Sequence, residues 1–253
     1  MVDTALIKHA RAGIRDKCVR LLDNKRTGDV SKRGVGKKTA VMAAAEGGHL
    51  DIVELLIEHG ASLLDKDKDT TTLVMQASKG GNMKLVELLL SKGANIHDKD
   101  RYGCSSIMMA SGGGHADVVE LLLSKGANIH DKNKYCRSSI ILASSGGHAD
   151  VVELLLSKGA NIHDKNVYGD SSMMIALDYS SFNKCAYTDL VLQLLEHGAD
   201  IPPIRSHYSP FIKDVLRKWP VFMGILALEG LSLYYILDAS TIIDLYQYLG
   251  EEQ

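Results

Sequence analysis

The sequence predicts an all-α solenoid, a linear stack of short helix pairs, and three observations carry that prediction. Gly60, Gly93, Gly126 and Gly159 fall at intervals of 33 residues, each opening the same phrase: GASLLDKD, GANIHDKD, GANIHDKN and GANIHDKN. Residues 113–133 and 146–166 are identical throughout, GGHADVVELLLSKGANIHDKN. Within one period the apolar residues fall into two short clusters at helical spacing, separated by glycines. A helix pair of this size cannot bury its apolar surface alone; stacked copies can, each contacting only its neighbours.

One unit, residues 98–130, shows how each element is specified. Ser105 stands before Ile107, Met108, Met109 and Ala110 as a helix N-cap, its hydroxyl placed to accept from an orphan backbone N–H. Glycines 112–114 end that helix, because glycine reaches left-handed conformations without a side-chain clash. Asp117 favours the positive end of a second helix. Val118, Val119, Leu121, Leu122 and Leu123 give that helix an apolar face wide enough to pack on two sides, and Gly126 ends it. The polar residues 130–136 have no helical period and read as a hairpin-like excursion.

The period, the Gly-His pairs (Gly48-His49, Gly114-His115, Gly147-His148), the V-x-L-L core, the Gly-Ala that follows and the Asp-rich turn resemble the ankyrin-repeat family. The resemblance covers about residues 4–202. It implies an ankyrin-repeat α-solenoid in the register 4–31 (degenerate), 32–64, 65–97, 98–130, 131–163 and 164–202. One departure stands out. The family's Thr-Pro-Leu-His is replaced by Ser105-Ser106-Ile107-Met108, Ser138-Ser139-Ile140-Ile141 and Ser171-Ser172-Met173-Met174. The hydroxyl survives but the proline and the bonding histidine do not, which predicts looser hydrogen bonding between repeats and a methionine-rich interior.

The first unit lacks the Gly-Ala phrase but keeps Val19, Leu21 and Leu22 at the core spacing. The sixth carries six extra residues around Tyr179–Thr188, expected as a surface loop between its helices. All four prolines lie after residue 201, as do most aromatics after residue 178, so a boundary is due near 202. Residues 203–253 are expected to form a helical C-terminal cap or module, with Ser209-Pro210 and Trp219-Pro220 as helix starts and Asp238 or Ser240 capping a last helix through Tyr248.

The 253 residues are 45% hydrophobic and 24% charged with a net charge of −2, which excludes wholesale disorder. No run approaches the roughly 18 apolar residues of a membrane span, and the start lacks a signal-peptide pattern. The expected location is the cytoplasm, with the nucleus also compatible, and Cys18, Cys104, Cys136 and Cys185 are read as reduced thiols. Residues 1–38 carry eleven Lys/Arg against four Asp/Glu. Those charges are spread over helix faces, and no aromatic precedes Tyr102 to supply a stacking platform, which argues against nucleic acid and leaves docking of an acidic protein open.

Several candidate chemistries fail on spacing. His49, His115 and His148, and likewise His97, His130 and His163, recur once per repeat. Stacked helices are about 8–10 Å apart, so equivalent histidines cannot close around one zinc at about 2 Å. Cys104 and Cys136 sit on neighbouring tips, expected beyond disulfide reach and at an exposed edge. Gly34-Val35-Gly36-Lys37-Lys38-Thr39 resembles a phosphate loop, but Lys38 occupies the required Ser/Thr position. Ser, His and Asp within SGGGHAD belong to a repeated turn rather than a convergent triad. No cofactor, metal, catalytic residue or small-molecule substrate is expected.

A recurring aromatic points to recognition. Tyr102, Tyr135 and Tyr168 fall 33 apart. By the resemblance, the variable contact positions are Lys68, Asp69 and Thr71; Arg101, Tyr102 and Cys104; Lys134, Tyr135 and Arg137; and Val167, Tyr168 and Asp170. These tips differ while the segments between them are letter-identical. Beneath them, Lys79-Gly80, Gly112-Gly113 and Ser145-Gly146 make a small-residue floor. Each Tyr either contacts a partner or packs on the next hairpin. The expected function is a non-enzymatic scaffold that binds a helix or extended segment of another protein on its concave face. Two alternatives remain: an adaptor whose tail recruits a second protein such as a ubiquitin-ligase component, and a catalytic tail built on Asp214, Glu229, Asp238 and Asp244.

Overall fold

The computed structural model describes residues 3–24, 29–179, 184–203 and 213–220. They form a stack of helix pairs: α1 (Ala5–Arg11) with α2 (Arg15–Asp23), α3 (Ala40–Glu46) with α4 (Leu50–Glu58), α5 (Leu73–Lys79) with α6 (Met83–Ser91), α7 (Ser106–Gly113) with α8 (Ala116–Ser124), α9 (Ser139–Gly146) with α10 (Ala149–Ser157), and α11 (Ser172–Tyr179) with α12 (Lys184–Glu196). Among the described residues the β pairing consists of two isolated bridges, Lys132 with Ser138 and Lys165 with Ser171. The first helices pack closely on one another along the stack and the second helices less so, which curves the array toward the first-helix side.

Burial follows the two apolar clusters. α7 is covered on several sides, burying Ser106, Ile107, Met108, Ala110 and Ser111, because it lies between α5 and α9. α8 buries Val118, Val119 and Leu122 and leaves Leu121 and Leu123 half-covered. Burying one such Leu contributes about 1.5–3 kcal/mol. Met42, Met75 and Met108 occupy one interior row, each with no exposed surface, as expected of a methionine-rich interior. In the degenerate first unit, Cys18 and Leu22 are buried and Val19 and Leu21 only partly so.

Side-chain hydrogen bonds join neighbouring repeats. At four of the second helices a side chain near the start reaches back to a carbonyl at the C-terminal end of the first helix of the preceding repeat. His49 Nε2 donates to Arg11 O at 3.1 Å, Asn82 Nδ2 to Gly48 O at 2.8 Å, His115 Nε2 to Lys79 O at 3.0 Å and the Tyr187 hydroxyl to Ser145 O at 2.9 Å. The carbonyl can only accept, so each ring nitrogen carries its proton. Gly114 (φ 76°) lets the chain turn there, and a Cβ on it would overlap the His148 ring.

Three expectations need correction. Ser105 and Ser138 occupy the N-cap positions, but neither side chain bonds a backbone N–H, and both hydroxyls are buried without a protein partner. Capping by the hydroxyl is seen at Thr4, Thr72 and Ser171. Secondly, the insertion of the sixth unit is not simply a loop. α12 spans 13 residues where α10 spans 9, residues 184–187 continuing the helix backward. Thirdly, Trp219-Pro220 does not start a helix: residues 213–220 are already helical, and Val215, Leu216 and Trp219 are buried along one face of it. The remaining tail expectations, Ser209-Pro210 and Asp238 to Tyr248, lie outside the described residues, as does the side chain of Cys185.

The hairpin turns place one residue of each unit in the left-handed region: Thr70 (φ 61°), Gly103 (φ 82°), Cys136 (φ 55°) and Gly169 (φ 83°). A β-branched residue is strained there by about 1–2 kcal/mol, part of which glycine returns through its greater freedom in the unfolded chain. Thr70→Gly is therefore expected to stabilise the array by about 0.5–1 kcal/mol. A urea titration reads this as a higher midpoint at unchanged slope, and a lower midpoint would contradict the strain argument.

Candidate functional site

The variable positions sit on four hairpin tips built to one plan. A single side-chain oxygen closes each tip. Asp67 Oδ1 accepts from the N–H groups of Asp69 and Thr71, and Asp100 Oδ1 from those of Tyr102 and Cys104. Asn133 Oδ1 accepts from Tyr135 and Arg137, and Asn166 Oδ1 from Tyr168 and Asp170, all eight bonds lying between 2.8 and 3.0 Å. Asp and Asn recur here because a short side chain with an acceptor can bond its own backbone two residues on.

Adjacent tips are then joined through the main chain. Lys68 N–H donates to Gly36 O at 2.8 Å, Arg101 to Asp69 O at 2.9 Å, Lys134 to Tyr102 O at 2.8 Å and Val167 to Tyr135 O at 3.0 Å. Ion pairs run parallel to this ladder: Arg33–Asp65 (2.9 Å), Lys66–Asp98 (3.3 Å), Lys99–Asp131 (2.8 Å) and Lys132–Asp164 (2.7 Å). Exposed pairs contribute only about 0–1 kcal/mol each, but these fix the spacing of the tips. The signal for this ladder in the sequence is the Asp-Lys pair repeated in the third to sixth units.

The tyrosines divide between their backbones and their rings. The carbonyls of Tyr102 and Tyr135 serve the stack, while the residues stay 38% and 46% exposed, and Tyr168 76%. Val167 is also exposed, at 51%. The Arg101 guanidinium lies 5.0 Å from the Tyr102 ring centre and bonds Asp69 at 2.9 Å, so Arg101 and Asp69 neutralise each other. Lys68 and Lys134 are exposed, and Arg137 and Asp170 half-buried. Cys104 corrects the expected exposed edge. It is half-buried with Sγ accepting from Asn133 Nδ2, and burial pushes its thiol above the ordinary range. Cys136 is exposed.

Below the tips lies the surface of the first helices. Lys79, Gly80, Gly112 and Gly146 are exposed, and Gly113 and Ser145 half-exposed. Sequence reasoning missed the stripe beside it. Met109 and Leu142 are half-exposed, and Ile175, their equivalent one repeat on, is at the surface of a cavity of about 400 Å³. Arg137, Tyr168, Asp170, Asp178 and Tyr179 line the same cavity. A second cavity of about 370 Å³ lies between the second and fourth units, lined by Glu46, Asp67, Asp69, Gln76, Lys79 and Met109 among others.

The other sequence candidates fall elsewhere. Residues 34–38 form the first tip, closed by Gly34 N–H to Lys38 O and by Val35 N–H to Asp3 Oδ1, a bond that holds the Asp3 carboxyl below its usual range. Much of the basic N-terminal charge is paired, Arg11 with Asp3, Arg15 with Asp51 and Lys38 with Glu46. His97, His130 and His163 are exposed, and among the described residues no three potential metal ligands converge. No described helix is long and apolar enough to cross a membrane.

The family model described as ankyrin repeats matches this chain three times, over residues 2–67, 62–133 and 107–203. A comparison with the curated proteins found no match.

Proposed function

The chain belongs to the ankyrin-repeat family, whose repeats are in general protein–protein interaction modules, and from that premise we propose that it is a non-enzymatic scaffold gripping a partner protein on its concave face. The partner lies as a helix or extended segment across the first-helix surface, under the tips of the third to sixth units. One observation carries the reading: exposed Tyr102, Tyr135 and Tyr168 rings stand on tips whose backbones are already locked into the stack. A partner that binds there loses little side-chain freedom and orders no loop. Large aromatic rings on a preorganised edge are the groups that dominate interfaces.

The array occupies residues 1–202 and residues 203–253 act as its cap. Burial of Val215, Leu216 and Trp219 supports covering of apolar surface over recruitment of a second protein. Four of the N-terminal basic residues, Arg11, Arg15, Arg33 and Lys38, serve internal ion pairs, and in this reading nucleic acid is not a partner.

Site-specific photo-cross-linking tests it. A photoreactive phenylalanine at position 135 is expected to capture a partner protein in cells, whereas the same group at Glu87, exposed on the second-helix side, captures none. Adducts from position 87 alone would reverse the face.

A further inference from the structure

Positions 43, 76, 109, 142 and 175 are equivalent points on successive first helices, and they read Ala, Gln, Met, Leu and Ile. Four are apolar and one is a primary amide. Gln76 is 8% exposed and lines the cavity of about 370 Å³ on the concave side. Both its Nε2 and its Oε1 are buried without a protein partner. Leaving a buried polar group unsatisfied is unfavourable, and an apolar side chain of similar shape would avoid it. The neighbouring repeat supplies such a side chain in Met109.

Of the charged groups around the cavity, Lys79 is exposed and offers only donors, and the others are engaged already. Lys38 bonds both carboxylate oxygens of Glu46 at 2.8 Å, Asp67 Oδ1 closes its own tip, and Asp69 pairs with Arg101. The Gln76 amide is therefore the polar group whose donor and acceptor both remain for an incoming molecule. A primary amide presents N–H and C=O side by side, which matches the C=O and N–H of one residue in an extended chain. Its terminal torsion is soft, so the amide can adjust to an incoming main chain.

We propose that the cavity over Gln76 takes an extended peptide segment of the partner and that the Gln76 amide pairs with that segment's main chain. This deepens the concave-face reading and rests on it. Main-chain pairing anchors the segment without regard to its side chains, while the tips read the side chains that flank it. Met109, half-exposed at the next position of the row, supplies an adaptable apolar contact beside the anchor.

The test uses the full chain and a phage-displayed library of random 12-residue peptides. Enriched peptides are remade with each backbone N–H replaced in turn by an ester oxygen, and binding is measured by calorimetry to the wild type and to Gln76→Met. Methionine stands at the equivalent position 109, and the unfolding midpoint of Gln76→Met is expected to be no lower than that of the wild type. One ester position is expected to weaken wild-type binding at least fivefold and to change binding to Gln76→Met less than twofold. Unchanged affinity of the unmodified peptide for Gln76→Met overturns the inference, the amide then being satisfied by water. Coupling of Gln76 to a peptide side chain alone overturns it too. Peptides that bind Tyr102→Ala/Tyr135→Ala/Tyr168→Ala as tightly as the wild type, yet couple to Gln76, would instead break the tip-based reading of function. A library yielding no binder overturns both.

Discussion

Replacing Tyr102, Tyr135 and Tyr168 together by alanine is expected to weaken partner binding at least tenfold while the array stays folded. The rings are 38%, 46% and 76% exposed, so their removal takes little from the core. The backbone bonds through Tyr102 O and Tyr135 O do not depend on the side chain and persist in the variant. Exposed substitutions of this kind change stability by about 0.5 kcal/mol or less. At an interface one Tyr contributes up to about 2 kcal/mol or more, and three acting on one segment exceed a tenfold effect comfortably. Surface plasmon resonance with the cross-linked partner measures the loss, and far-ultraviolet circular dichroism checks the fold. Equal binding removes the tips from the interface. Unfolding shows instead that the rings hold the stack together.

The second large effect is on stability. Trp219 is 4% exposed and shares a face with Val215 and Leu216, both essentially buried, within the same apolar cluster as the repeats. Trp219→Ala is expected to cost about 3–5 kcal/mol, the usual range for emptying a large aromatic site. In a stack where each unit contacts only its neighbours, that loss is felt first at the C-terminal end. Hydrogen exchange should therefore accelerate in α11 and α12 and stay nearly unchanged in α3 to α6. A chain cut after Pro203 carries the same argument further and is expected to aggregate. A soluble, fully protected truncated array would mean that the tail is a recruiting module after all.

The fold was legible because its information is periodic. A glycine every 33 residues, a Val-Leu core and an Asp-rich turn fix helix ends, buried faces and tips with no knowledge of the long-range packing. Residues outside the period were harder to read. Cys18 is a free thiol, as expected, but its place in the core was not legible, because its burial depends on a neighbouring unit as well as on its own helix. Ser105 carries a capping side chain in a capping position, yet its hydroxyl is buried and makes no capping bond. The insertion of the sixth unit read as a loop because an added segment has no copy for comparison, and from Lys184 onward it lengthens the second helix, which Tyr187 anchors on Ser145 O. The tip positions were legible as the variable part of an otherwise repeated text. The Met109–Leu142 stripe and the amide of Gln76 were equally periodic, but their meaning lies in which face the helix turns to the concave side, a fact set by packing between repeats.

The rungs that join neighbouring tips have a consequence for how such a chain changes length. Lys99–Asp131 and Lys132–Asp164 are the same bond made by the same residue types one unit apart, and residues 113–133 are spelled like 146–166. Excising 33 residues between equivalent points of those stretches joins two surfaces that already fit, and duplicating them does the same. The protein can thus shorten or extend by whole modules without passing through a misfit intermediate, adding or removing one aromatic fingertip at each step.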